Sequence, residues 1–192
     1  NENYSYAMKD AAAAYQMALL WKLTGTEQYA KNVINILNQW AATCTEVTSN
    51  DANHKLAAGA QGYTFANAAE IMQTYDGWTE ADQTTFKTWI VKVFASKNKD
   101  FLDNHQGSSN CALHYWSNWD LVNMCSYLSI GILTEDDDMV NYVVNYFYNG
   151  AGNGALNNLI QGTHIDPLSN EEICQNQESG RDQGHAQMSA AV

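Results

Sequence analysis

Three similar segments recur along the chain, and each has the form of a helical hairpin. In each segment an apolar helix is followed by a short polar turn and by a second helix that starts at a Thr-Glu pair. The pairs begin at Thr26, Thr79 and Thr134, which are 53 and 55 residues apart. Threonine can cap the free amides of a helix start, and glutamate in the first turn favours the positive end of the helix dipole. This repeat predicts a stack of antiparallel helix pairs.

Apolar side chains recur at steps of three and four, as they do on the buried face of a helix. The segment 4–23 is rich in alanine and leucine, and Gly25 marks its end. The hairpins predict further helices that start at residue 26 and that span 63–75, 80–96, 119–130 and 135–149. The chain contains a single proline, Pro167, which is compatible with long uninterrupted helices. We therefore expect an all-α fold.

Charge and cysteine spacing exclude several classes of protein. The formal net charge of −12 argues against nucleic acid or an anionic lipid surface as a partner. No apolar run is long enough to predict a membrane span. The four cysteines are far apart and do not form a zinc or redox motif, so buried thiols are favoured over disulfides. The sequence predicts no metal and no cofactor, and it does not indicate an oligomeric state.

The two ends of the sequence predict a larger domain. The sequence begins with Asn1 and not with a methionine, and the terminal stretch GHAQMSAAV has the composition of a helix that has just begun. We expect residues 1–192 to be part of a single domain that is truncated at both ends.

Long polar connections predict the position of the functional site. If the short hairpin turns lie at one end of the stack, the connections 42–61, 97–117 and 150–182 all lie at the other end. Most of the histidines fall in these connections. Loops of this length in a compact helical domain are usually functional. The layout is that of an incomplete (α/α) toroid with its site at the loop end.

Two loop segments carry residues suited to an acidic sugar. The segment 103–121 combines asparagine, histidine and aromatic residues without lysine or arginine, and the segment 176–187 contains Arg181, the only arginine of the chain. Aromatic faces suit sugar rings, and amides suit hydroxyls and carboxylates. Elimination from a uronic acid needs a donor for the carboxylate, a base for the neighbouring proton and an acid for the leaving oxygen.

Two blocks of the sequence resemble a known family. The stretch SNWDLVNMCSYLSIGILTEDDDMVNYVVNYFYNGAGNGAL and the later block QESGRDQGHA are similar to the alginate-lyase-like domain of toroidal polysaccharide lyases. The similarity is greatest to polysaccharide lyase family 38. It extends from about Tyr4 to the end of the chain, and QESGRDQGH is its most specific part.

The resemblance implies a lyase site and an anionic polysaccharide substrate. It implies that Asn110 helps to neutralise the uronate carboxylate and that Glu178 and His185 form the active-site pair. His185 would serve as the base or as a donor to the carboxylate. Family members also use a tyrosine and a further arginine, which we expect beyond Val192, so the fragment alone should be inactive. The remaining candidates, which would bind substrate, are His114, Trp116, Asn118, Gln177, Arg181 and Gln183.

Other roles remain open for these residues. Arg181 could pair with Glu178 or Asp182 to hold a loop, and His185 could be an ordinary helix-start residue. We expect His54, His105 and His164 to be solvated.

Two other functions, and a purely structural helical array, also remain open. A glycoside hydrolase would use Glu178 with Asp166 or Asp182 as its two carboxylates. A non-catalytic carbohydrate-binding module would use the aromatic residues as a sugar platform and would tolerate loss of Glu178 and His185. Because polymeric uronates occur outside the cytoplasm, we expect a periplasmic or secreted protein.

Overall fold

The computed structural model describes residues 3–105 and 111–185, and the described chain is mostly helical. Three helical hairpins make up its body, and a short helix and a two-stranded sheet follow them. The helices are α1 Tyr4–Thr24, α2 Glu27–Thr43, α3 Asn53–Met72, α4 Glu80–Ile90, α5 Ser96–Asn104, α6 Ser117–Thr134, α7 Asp137–Asn149 and α8 Leu156–Leu159. The strands are β1 Ile160–Ile165 and β2 Glu172–Asn176.

The first helices of the three hairpins lie side by side. Helix α3 packs between α1 and α6, and its contact with α6 is more extensive than any other between the described elements. The second helices pack against these, α2 on α1 and α7 on α6. The apolar core is continuous through all three hairpins. The predicted all-α class is confirmed in its helical hairpins, whereas closure into a toroid stays a prediction.

The short turns of the three hairpins lie at one end, as predicted, but their caps differ. Thr79 Oγ1 accepts the amide of Asp82 at 3.2 Å and caps α4. Thr26 precedes α2 without a side-chain cap. The third predicted start is wrong, because Thr134 ends α6 and Glu135 adopts a left-handed conformation with φ 57°. Asp136 caps α7 instead, through the amide of Met139 at 3.1 Å.

Two helices are longer than predicted, so the connections are shorter. Helix α3 begins at Asn53, ten residues before the predicted 63–75 segment. Helix α4 continues through a π-helical turn, Val91–Ala95, into α5, and the chain leaves the helix only at His105. The actual connections at the loop end are therefore 44–52, 105–116 and the segment that follows α7. Single π turns inside α-helices are frequent near functional sites.

The sequence did not predict the antiparallel hairpin of β1 and β2. Its residues are exposed except for Asn176, and His164 lies opposite Ile173 in the register. The turn contains Pro167 and is held by Asp166, whose Oδ2 accepts the amide and hydroxyl of Ser169 at 3.1 and 2.7 Å. The hairpin leads directly into the segment with Arg181.

The cysteines differ in exposure. Cys111 and Cys174 are exposed thiols and Cys44 is half-buried, so the expectation of four buried thiols is wrong for these positions. Cys125 is buried in α6, and burial raises its pKa to about 11.

No helix within the described parts of the chain is long and apolar enough to cross a membrane.

Candidate functional site

The start of α6 is capped by side chains from a segment that follows it by 60 residues. Gln177 Oε1 accepts the amide of Ser117 at 2.7 Å, and Glu178 Oε1 accepts the amide of Asn118 at 3.0 Å and the hydroxyl of Ser117 at 3.3 Å. Glu178 is only 2 % exposed. A carboxylate at a helix N-terminus is stabilised by the free amides and by the dipole. The contact joins the segment after β2 to α6.

Arg181 lies at the centre of the site. Its guanidinium carbon is 4.6 Å from the centre of the Trp116 ring, which is a cation–π distance. Its Nη1 is 3.3 Å from Glu178 Oε2, an ion pair that is not aligned as a hydrogen bond. Its Nη2 is 3.0 Å from His185 Nε2. The guanidinium thus contacts an aromatic face, a carboxylate and an imidazole, and its side chain keeps 30 % exposure.

His185 and Asp182 form a carboxylate–imidazole pair. His185 Nδ1 is 2.6 Å from Asp182 Oδ2. Because the arginine can only donate and the carboxylate can only accept, Nδ1 of a neutral His185 carries the proton and Nε2 accepts from Arg181. Asp182 Oδ1 also accepts the amides of Gly184 and His185 at 3.0 and 3.3 Å. These bonds hold the pKa of Asp182 below its ordinary value.

Three predicted site residues lie at the surface. Trp116 is 50 % exposed, although Arg181 covers one face of its ring. His114 is exposed and packs edge-on against Tyr115, with ring centres 4.9 Å apart. Gln183 is exposed at the start of the helical turn that contains His185.

Burial changes the interpretation of three further candidates. Asn118 is 1 % exposed, which argues against direct contact with a polymer, and its Oδ1 has no hydrogen-bond partner among the described residues. Gln177 and Glu178 are occupied as helix caps. Asn110 lies outside the described residues.

The sequence missed two features of this region. Asp182 was considered only as a partner of Arg181 or as a hydrolase carboxylate, yet it is bonded to His185. Its spacing of three residues from His185 is the spacing of a side-chain cap at a helix start, and that spacing is visible in the sequence. The expectation that His105 is solvated is wrong, because His105 is buried against Asp120.

The described residues show no metal site, and the Glu178–Asp166 pair considered for hydrolysis is engaged in structural contacts. No group of three or more His, Cys, Asp or Glu side chains within residues 3–105 and 111–185 could hold a metal ion. Asp166 is engaged in the β-hairpin turn, and Glu178 is buried as a cap. These two carboxylates are therefore poorly placed to act together on a glycosidic bond.

Comparison with known proteins identifies the family. Residues 1–159 match the family model described as alginate lyase. This match covers most of the chain, which therefore belongs to the alginate lyase family. It ends just before β1, so Glu178, Arg181 and His185 follow the matched residues. No curated protein matches the chain, and no solved structure does.

Proposed function

We propose that this protein cleaves a uronic-acid polymer of the alginate or glucuronan type by β-elimination, and that it belongs to polysaccharide lyase family 38. Membership of the alginate lyase family supports lyase action on a polysaccharide. The observation that carries the finer proposal is the contact of Arg181 with His185. This contact supports the proposal, because a cation suited to the substrate carboxylate lies 3.0 Å from a group that can accept a proton.

Each of these residues has a role in the proposed reaction. Arg181 pairs with the uronate carboxylate and makes the proton on the neighbouring carbon more acidic. When the substrate carboxylate accepts the hydrogen bond from Arg181 Nη2, the bond from Nη2 to His185 Nε2 breaks. The lone pair on Nε2 can then accept the proton from the sugar carbon. The electron pair of the broken C–H bond forms a carbon–carbon double bond. The bond to the glycosidic oxygen breaks, and its electron pair stays on that oxygen, which takes a proton from solvent water. The imidazolium of His185 then returns its proton to water.

Asp182 positions His185 and Glu178 positions Arg181, and neither carboxylate touches the sugar. Asp182 fixes the tautomer of His185 and stabilises the imidazolium that forms, as a carboxylate does in other histidine-dependent sites. The sequence suggested a catalytic role for Glu178. In the proposed reaction Glu178 instead holds Arg181 over Trp116 from the start of α6. Asn110 is proposed as a second donor to the carboxylate, and the exposed part of Trp116 as a contact for a sugar ring.

The proposal also concerns location and domain structure. A polymeric substrate is met outside the cytoplasm, so we propose a periplasmic or secreted protein. Residues 1–192 would form part of one (α/α) toroid domain whose remaining helices complete the site.

Ultraviolet absorbance of newly formed unsaturated uronate tests the proposal. The full-length protein is incubated with alginate, polyglucuronate and pectate, beside a His185→Ala variant. His164→Ala is the matched control, because His164 is exposed on β1. We expect absorbance to rise with at least one polymer, to rise equally in the control, and to fall at least about 100-fold in His185→Ala, as for loss of a general base.

Two other results would overturn the proposal. Reducing ends that appear without absorbance would indicate hydrolysis. Binding of a polymer without cleavage, unchanged in His185→Ala, would indicate a carbohydrate-binding module.

A further inference from the structure

A second cluster of buried polar side chains lies at the loop end of the helices, and the proposed reaction does not use it. It consists of Asp120 in the first turn of α6, His105 just after α5, and Tyr146 in α7. Their exposures are 0 %, 4 % and 8 %. Buried polar and charged groups are costly unless they are bonded, so a cluster of this kind is held in one arrangement.

Asp120 accepts hydrogen bonds from three separate parts of the chain. Its Oδ1 is 2.9 Å from His105 Nε2 and 3.1 Å from the Tyr146 hydroxyl, and its Oδ2 accepts the amide of Gly154 at 2.9 Å. The Tyr146 hydroxyl is also 3.1 Å from His105 Nε2. Burial raises the pKa of Tyr146, so its hydroxyl stays protonated and donates. The carboxylate joins α5, α6, α7 and the loop after α7.

The loop after α7 fits closely around Asp120. A Cβ added at Gly152 would lie 2.4 Å from Asp120 Oδ2, and one at Gly154 would lie 2.4 Å from Asp120 Cβ. Only glycine allows so close an approach. Between these glycines, Asn153 Nδ2 donates to the carbonyls of Leu113 and Tyr115 at 3.0 and 2.6 Å. The loop that Asp120 anchors therefore holds the residues that lead directly to Trp116.

The backbone at His105 supports the same interpretation. His105 has φ 43°, in the left-handed region that non-glycine residues rarely adopt. Such a conformation persists only where surrounding contacts determine it. Here the bond to Asp120 fixes the side chain at the point where the chain leaves α5.

We propose that Asp120, His105 and Tyr146 form a positioning unit that fixes the segment 111–116 and, through it, the ring of Trp116 under Arg181. These residues do not touch the sugar. The kinetic consequence rests on the proposed function, whereas the effect on the segment does not.

Removal of one hydroxyl tests the positioning unit. Tyr146→Phe deletes the bonds to Asp120 and His105 and keeps the ring. Tyr142→Phe is the matched control, because Tyr142 lies one turn earlier on α7 and its hydroxyl bonds to Asp103 at 2.7 Å. Asp120→Asn keeps the shape of the side chain and removes its charge. If Asp120→Asn does not fold, Tyr146→Phe alone decides.

Hydrogen–deuterium exchange is the first readout. In Tyr146→Phe we expect the amides of 111–117 and 151–155 to exchange about tenfold faster, as for loss of a local anchor. Amides of α1 to α3 should not change, and Tyr142→Phe should resemble the wild type. Unchanged exchange in 111–117, or equal acceleration throughout the chain, would overturn the proposal.

Steady-state kinetics of the full-length lyase is the second readout. Tyr146→Phe should lower kcat about tenfold and change KM less than twofold, because a displaced Arg181 affects the transition state more than polymer binding. Unchanged kcat despite faster exchange would remove the link to catalysis. If the wild type eliminates no uronate polymer, the proposed function fails, and the exchange experiment still decides on the positioning unit.

Discussion

Glu178 is a buried carboxylate whose charge is compensated on two sides. The amide and hydroxyl donors at the start of α6 bind one oxygen, and the Arg181 guanidinium lies near the other. Removal of one partner from a buried ion pair is strongly destabilising, because the other charge loses its compensation. Arg181 retains 30 % exposure, and solvent reduces this penalty. Glu178 therefore contributes to stability as well as to the geometry of the site.

Glu178→Gln should lower the free energy of unfolding by about 2 kcal/mol, through loss of the charged cap and of the ion pair. Urea unfolding measures the change. Glu172→Gln on the exposed β2 strand is the control, and its effect should stay within about 0.5 kcal/mol. Equal stability of the two variants would show that the Glu178 cap is not formed.

Asp182 provides a prediction about pH. Hydrogen bonds from the amide and ring of His185 lower its pKa from 3.8. Because the pKa is lower in the folded state, the stabilisation is complete above the unfolded value near 4 and is lost as pH falls through the folded value. A carboxyl carbon NMR titration should place the midpoint below that of Asp182 in a His185→Ala variant. Identical midpoints would mean that the Asp182–His185 bond is absent in solution.

Single residues were partly predictable from the sequence. Arg181 stood out because it is the only arginine, and His185 because it lies beside it. The caps that Gln177 and Glu178 place on α6 could not be predicted, since they join segments 60 residues apart. The burial of His105 could not be predicted for the same reason, because its partners Asp120 and Tyr146 come from later helices.

At the scale of elements, the contact of α3 with α6 depends on small residues. Gly59 and Gly62 bring the two helices close together, and a Cβ at Gly62 would lie 2.3 Å from Ser126 Oγ and 3.2 Å from Phe94. The Ser126 hydroxyl is also hydrogen-bonded to the side-chain amide of Asn98 at 2.8 Å, so it cannot move without loss of a buried bond. Interiors packed at this density do not accept an extra methyl group easily.

Gly62→Ala should therefore lower the free energy of unfolding by about 1–3 kcal/mol, the usual cost of overpacking. The better helix propensity of alanine offsets only part of this cost. Gly162→Ala on β1 is the control, because nothing lies within 4 Å of its added Cβ. Denaturant unfolding of both variants gives the comparison. A Gly62→Ala protein as stable as the wild type would show that α3 and α6 are farther apart.

The helices of the three hairpins were predictable, whereas the short helix α8 and the β1–β2 hairpin were not. Periodicity and Gly25 located α1 and α2, because these signals are local. The early start of α3 was not predictable, because its first residues include a lysine, Lys55, that is buried and paired with Asp100. The strands β1 and β2 do not alternate between buried and exposed residues, so the alternating pattern that usually predicts a strand is missing.

At the scale of the whole molecule, helices α1 to α7 place the short turns at one end and the loops of the proposed site at the other. The formal charge of −12 creates a field that opposes binding of a polyanion. Favourable groups must therefore be concentrated locally, and Arg181 with Trp116 and His185 forms such a group.

The proposed reaction depends on Arg181, which neutralises the substrate carboxylate during elimination. The most direct measurement compares kcat/KM of the full-length wild type and an Arg181→Lys variant on a uronate polymer and on its methyl ester. Lysine keeps the charge but cannot contact Trp116, Glu178 and a carboxylate with one planar group. We predict a loss of about 100-fold on the acid polymer, as for an electrostatic contact made in the transition state, and a much smaller loss on the ester. Equal losses on both polymers, or none, would contradict the account.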